Sequence, residues 1–167
     1  MIVSNETIVK EWFQVKRSRS SDFDLESFLP YRLSVTTNRV SRAFAAQYEQ
    51  EFGISIPEWR AIAVLGAFAP LSSNEICERT AMDKAKVSRA VATLLKRGLI
   101  EREAHQTDQR LIQLTLSKAG RKIYEAIIPR ARTIEAEVTK GLSKADIAHL
   151  HQVLDKIGAR LGEMESN

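Results

Sequence analysis

Apolar positions along the chain fall into helical stripes, interrupted once by a two-residue alternation. From about Leu25 to Glu51, Leu29, Leu33, Val40, Phe44 and Tyr48 keep helical spacing, while Arg32, Arg39 and Arg42 lie on a different face. "FGISIPEWR" then breaks and restarts the chain. Gly53 ends one helix, Ser55 and Glu58 have capping-box spacing, and Pro57 fits the first turn of the next. Trp59, Ile62, Ala63 and Leu65 carry this second helix to about Ala69, where Pro70 closes it. Ser72 and Glu75 repeat the capping box and open a short third helix through Ile76 and Cys77 to about Thr80. Asp83 caps a fourth, in which Val87, Ala90, Val91, Leu94 and Leu95 make one buried stripe and Gly98 supplies a left-handed residue at the end.

The period changes after Gly98. "LIERE" and "RLIQLTL" are strand-like, with Ile112, Leu114 and Leu116 alternating against polar neighbours, and the polar loop "AHQTDQ" joins them as a hairpin. Ser117 caps a fifth helix with the stripe Ile123, Ile127, Ala131, Ile134 and Val138, interrupted by Pro129. Gly141 and Ser143 mark another break and cap. In the last helix Ile147, Leu150, Leu154, Ile157, Leu161 and Met164 form a heptad seam. That seam is too short for a free-standing coiled coil, so it wants partner helices, within the chain or on a second copy. Residues 1–25 mix charges with Ile8, Val9, Trp12 and Phe13 before "VKRSRSSDF", which reads as a short helix and a linker. "KRSRS" is a solvated connector or, alternatively, a DNA-touching arm.

The predicted class is therefore mainly α, about six helices plus one β-hairpin. The third and fourth helices, about three residues apart, have the local signature of a helix-turn-helix, and a hairpin directly after it is a wing. Charge sharpens this picture. The net charge of +4 over 167 residues is mild, but Lys84, Lys86, Ser88, Arg89, Thr93 and Lys96 are the residues left over once the fourth helix has buried its stripe. Lysine and arginine neutralise phosphates or donate to guanine O6 and N7, and serine and threonine pair with donors or acceptors. Ala85 and Ala92 leave room beside them for a groove wall. A basic helix front, a short preceding helix and a following hairpin fit a major-groove reader.

From about Leu29 to Leu161 the chain resembles the MarR family of bacterial transcription regulators. The resemblance is carried by "IPEWRAIAVL", "LSSNEICERTAMDKAKVSRAVATLLKRGLIER" and "DQRLIQLTLSKAG", the last matching the family's wing signature. It implies a homodimeric winged helix-turn-helix protein on a double-stranded, pseudo-palindromic DNA operator. Residues 57–116 would form the DNA-binding domain, 26–56 and 117–167 the terminal helices of a dimerisation layer, and 1–25 an N-terminal extension. The implied DNA-facing set is Ser72, Lys84, Lys86, Ser88, Arg89, Thr93 and Arg97, with Arg110 of the wing in the minor groove and Asp108 holding it. Gln109 departs from the commoner Asp-Arg-Arg pattern, which weakens one cationic wing contact.

Many members of the family bind small aromatic acids, phenols or acyl-CoA thioesters. Tyr31, Asn38, Arg42, Trp59 and Arg60 are the candidates for such a cleft, offering flat apolar walls with cationic or amide groups; core packing of Trp59 and a solvated or dimer-facing Arg42 are the plainer alternatives. Cys77, the single cysteine, permits no intrachain disulfide and reads as a small buried hydrophobe rather than an oxidant switch. His149 and His151 point in different directions on a helix and His105 sits in the wing, so neither a metal site nor a cofactor is expected. There is no phosphate loop or nucleophile elbow, and no enzyme is expected. No apolar run approaches a bilayer span and no secretory pattern opens the chain, so a cytoplasmic protein without membrane contact is expected. A winged-helix module that grips another protein, and a regulator sensing oxidant or metal, are the competing functions.

Overall fold

The structure, a computed structural model, describes residues 23–104 and 112–165. Among these the chain forms seven helices and one antiparallel hairpin: α1 (Leu29–Ala45), α2 (Glu49–Phe52), α3 (Ile56–Phe68), α4 (Ser73–Thr80), α5 (Lys84–Lys96), β1 (Ile100–Ala104), β2 (Ile112–Leu116), α6 (Lys118–Val138) and α7 (Lys144–Glu165). The order is that of a winged helix-turn-helix between terminal helices. A division into two compact units falls at Thr37–Asn38, inside α1.

In the first unit, an Asp24 turn precedes α1. Its carboxylate accepts from the Glu26 N–H and its carbonyl accepts from the Ser27 hydroxyl. The Phe23 and Phe28 rings meet edge to face at 5.0 Å. Because residues 24–27 are held in this turn and Pro30 belongs to a first helical turn, α1 starts at Leu29 rather than near Leu25.

The expected first helix also ends early. Residues 47 and 48 tighten into i→i+3 bonds, Gln47 N–H to the Phe44 carbonyl and Tyr48 N–H to the Ala45 carbonyl. Tyr48 leaves helical geometry (φ −132°) and is buried against Phe44 and Trp59, ring centroids 5.0 and 5.7 Å away. Packing of one aromatic ring outweighs continuation of the helix. The short α2 then ends at Gly53, whose φ of +59° is the left-handed closure that glycine favours.

The helix starts follow the sequence closely. Ser55 and Ser72 sit at the heads of α3 and α4 with both halves of a capping box in place, and Asp83 and Ser117 cap α5 and α6 with their side chains. α5 ends in a Schellman motif: Leu99 N–H reaches the Leu94 carbonyl and Gly98 N–H the Leu95 carbonyl, with Gly98 at φ +65°. The hairpin pairs Ile100 with Leu116 through Ala104 with Ile112. Leu71, between α3 and α4, exchanges two backbone hydrogen bonds with Leu114 and so adds a third short edge to the wing. That bridge anchors the hairpin to the front of the helix-turn-helix.

The core runs through Ile54, Trp59, Ile62, Leu65, Leu71, Ile76, Val87, Leu94, Leu114 and Ile127, all buried. α3 is its hub, apolar nearly all round and packed on α4, α5, β2 and α6. α7 buries none of its residues within the chain, and Leu150, Leu154, Leu161 and Met164 of its seam are exposed. No described helix is long and apolar enough to cross a membrane.

Candidate nucleic-acid interface

α5 is built to present its polar face. Val87, Ala90, Val91 and Leu94 are buried beneath it, which fixes the helix's rotation and leaves Lys84, Lys86, Ser88, Arg89, Thr93 and Lys96 exposed. Its first turn is held by Asp83, which accepts from the Lys86 N–H at 2.7 Å and pairs with the Lys86 ammonium at 2.9 Å. The ammonium's hydrogen bond first, and the N–H second, hold the Asp83 carboxyl below its usual range. The Thr93 hydroxyl donates to the Arg89 carbonyl, leaving its lone pairs to accept from a ligand.

These exposed side chains border two grooves. On one flank, Lys84 and Ser88 line a cleft of about 330 Å³ with Ser73, Asn74 and Cys77 of α4 and Arg102 of β1. On the other, Lys86, Arg89 and Thr93 line a cleft of about 320 Å³ with Ser55, Pro57 and Glu58 at the head of α3. Ser72 is occupied as the α4 cap, its backbone N–H donating to Glu75 and its hydroxyl accepting from the Glu75 N–H. Ser73 and Asn74, which sequence reasoning passed over, face the groove in its stead.

Arg102 was also missed. It pairs across the hairpin with the buried Leu114 and shares its face with Ile100, so the strand's two-residue period carries it toward α5. That period was visible in "IERE", but only the pairing register shows which face turns to the helix.

Arg97 caps α5 and turns away from its polar face: Nη1 donates to the Gly53 carbonyl at 2.8 Å and Nη2 to the Phe52 carbonyl at 2.7 Å. Asp108 and Arg110, and with them the wing tip and His105, lie outside the described residues, as does the "KRSRS" segment.

The effector candidates separate. Asn38, Arg42 and Arg60 line one cleft of about 530 Å³ together with Ser41, Ile56, Pro57, Ala81, Met82 and Lys86 of α5. The lining holds three cations and no carboxylate, and Arg60 donates to the Ser41 hydroxyl. Trp59 is not among the lining residues. It is buried among Phe44, Tyr48 and Tyr124, because a residue next to Arg60 on α3 points about 100° away from it. Tyr31 lies in the first unit and is exposed. Cys77 is half-buried. Among the described residues no group of three His, Cys, Asp or Glu side chains is placed to hold a metal ion.

The family model of the MarR family matches residues 52–111, which span α3, α4, α5 and the first wing strand. The chain is 30% identical to a probable transcriptional regulator from Pseudomonas aeruginosa, covering 80% of this chain and 99% of that one with a TM-score of 0.68. A MarR/EmrR family transcriptional regulator from Acinetobacter sp. ADP1 superposes with a TM-score of 0.78 at 26% identity, over 84% of this chain and 99% of its own. The chain belongs to the MarR family. Among curated relatives, the HTH-type transcriptional regulator TcaR of Staphylococcus aureus is 28% identical over 126 residues, 74% of this chain and 83% of its own length. Two further neighbours share the fold at lower identity. One is a putative MarR family regulator from Listeria monocytogenes complexed with a 26mer DNA (18%, TM-score 0.76, 82% of this chain and 91% of that one). The other is Bordetella bronchiseptica BpsR, whose DNA binding is regulated by 6-hydroxynicotinic acid (20%, TM-score 0.73, 83% and 98%). This MarR family chain is a DNA-binding transcriptional regulator and not an enzyme.

Proposed function

We propose that this regulator is a cytoplasmic homodimer that places α5 of each copy in the major groove of a pseudo-palindromic operator, and that a small anionic aromatic effector releases it. The observation that carries this reading is the solvent face of α5, where Lys84, Lys86, Ser88, Arg89 and Thr93 stand exposed over a fully packed stripe. Half-sites about one helical turn apart would match twofold-related α5 helices. Arg110 of the wing, held by Asp108, completes the interface in the minor groove. The exposed seam of α7 supports pairing with a second copy, since an apolar helix face of this length is rarely left to water. This assigns 26–56 and 117–167 to the dimer layer and 57–116 to DNA.

The cleft of Asn38, Arg42, Arg60 and Lys86 supports the effector reading. Its three cations suit a carboxylate or phosphate, and Ile56, Pro57 and Met82 suit an aromatic ring. The chemistry fits an aromatic or phenolic acid or its CoA thioester, and BpsR provides a fold-level precedent for such an acid. Lys86 belongs to both this cleft and the polar face of α5. An anion seated in the cleft therefore competes for a residue that DNA needs, giving the ligand different affinities for the free and DNA-bound arrangements, as release requires. The protein represses when free of ligand.

Titration of operator DNA across a salt series tests the interface. With roughly 6–10 phosphate contacts, affinity falls by about 10³–10⁵ between 50 and 200 mM salt. Lys86→Ala with Arg89→Ala abolishes specific protection; a double variant that protects DNA as well as its parent would refute the assignment of α5.

A further inference from the structure

Two arginines from different parts of the chain converge on residues 51–53. From the end of α5, the planar guanidinium of Arg97 forks across the Phe52 and Gly53 carbonyls, at 2.7 and 2.8 Å. From α6, Arg130 is paired with the Glu51 carboxylate and stands over the Phe52 ring, 5.1 Å from its centroid. Its other arm donates to the Ala126 carbonyl of its own helix, which fixes the side chain's direction. The two carbonyls that Arg97 takes are among those a helix end leaves without partners, so the fork satisfies groups that α2 cannot satisfy itself. The result is a continuous path from α6 through α2 to Arg97, the residue that caps α5. Bidentate, charge-assisted bonds hold direction as well as distance.

We propose that Arg97 and Arg130 form a clamp on residues 51–53 that fixes the angle of α5 against α6, and that Arg97 serves DNA binding as a positioning residue, without touching phosphate. The inference rests on the reading of α5 as the recognition helix. α5 is buried along one side only, and its C-terminal end is otherwise closed by the left-handed turn at Gly98. A tilt of the helix about the middle of its packed stripe would move Lys84 and Lys96, at its two ends, in opposite directions along a groove. The clamp suppresses that tilt and ties it to the position of α6, on which the dimer layer is built.

The test uses the full chain and a duplex selected from random-sequence DNA against the parent protein, together with the same duplex carrying one additional central base pair. Parent, Arg97→Met, Arg97→Lys, Arg130→Met and the Lys86→Ala/Arg89→Ala control are titrated on both duplexes at several salt concentrations. The parent and the control establish whether binding is specific and salt-dependent; a parent without a salt slope overturns the recognition-helix reading and the clamp with it. Given that slope, Arg97→Met and Arg130→Met lower operator affinity by roughly 5–150-fold, the range of ordinary coupling between sites, at unchanged slope. They also narrow the discrimination between the two duplexes, an effect that simple loss of stability does not produce. Arg97→Lys behaves like Arg97→Met, because an ammonium keeps the charge but lacks the fork. A slope reduced by about 0.9 in Arg97→Met, with recovery in Arg97→Lys, identifies a lost phosphate contact and overturns the clamp alone. Unchanged affinity and discrimination in both arginine variants overturn it equally. Should Arg97→Met fail to fold, Arg97→Lys and Arg130→Met decide by the same criteria.

Discussion

Replacing Gly120 with alanine tests the packing that seats the wing. Gly120 is buried in the first turn of α6, its N–H donating to the Ser117 hydroxyl. A Cβ built on it would lie 1.9 Å from the Leu99 carbonyl oxygen and 2.9 Å from the carbonyl carbon, closer than the 3.0 Å below which real Cβ contacts are essentially never found. The obstacle is backbone, and it is tied down: the Leu99 carbonyl accepts from the Ser117 N–H, and the Gly98 carbonyl from the Ser117 hydroxyl at 2.7 Å. Relief therefore requires α6 and the start of β1 to separate by about 1 Å, against those two bonds. Helix propensity alone favours alanine by about 1 kcal/mol. Overpacking costs about 1–3 kcal/mol, and loosening two hydrogen bonds costs about 1 kcal/mol each. The net expectation is a destabilisation of about 2–4 kcal/mol. Thermal unfolding reads this as a fall of about 4–16 °C for a chain of this size, and urea unfolding as a lower midpoint at unchanged slope. The two arguments differ in sign, which makes the measurement decisive. A Gly120→Ala protein as stable as its parent, or more stable, would show that the close approach of β1 to α6 is wrong.

Three further predictions follow from other parts of the molecule. Burial, and secondarily Glu49, push the Tyr48 phenol up to about 12 against an opposing pull from Arg60; an unfolded chain loses that proton near pH 10, so this contribution is intact below about pH 10 and is lost as pH rises toward about 12. Urea unfolding between pH 8 and pH 11.5 should show that decline diminished in Tyr48→Phe, and an identical decline in both proteins would exclude Tyr48 as its source. Leu154→Glu places a charge on the exposed seam of α7, and sedimentation should show the proposed homodimer weakened relative to the parent; a dimer of undiminished affinity would move the interface elsewhere. If the proposed effector site is right, Arg60→Gln, which removes one of three cations from the cleft, should weaken calorimetric binding of a small aromatic carboxylate about 10- to 100-fold, the worth of one charge-assisted hydrogen bond. Equal affinity in the variant would remove Arg60 from the effector site.

The order of elements was readable in the amino-acid pattern because it depends on local chemistry. Ser55, Ser72, Asp83 and Ser117 announce helix starts through bonds to a backbone only three residues away, and Gly53 and Gly98 announce ends through a backbone angle of their own. The stripe of Val87, Ala90, Val91 and Leu94 likewise needs nothing beyond the helical period to declare which side of α5 is buried. Relations between distant residues were not readable in this way. Tyr48 interrupts a helix for the sake of Phe44 and Trp59, and Trp59 turns into the core while Arg60 turns to the cleft. Arg97 looks in sequence like one more cation on a basic helix, yet its guanidinium meets carbonyls 44 and 45 residues earlier. Whether a lysine or arginine is offered to a ligand or held by the protein depends on which acceptors the folded chain brings within about 3 Å of it, and hydrogen bonds of such short range leave no periodic trace along the sequence.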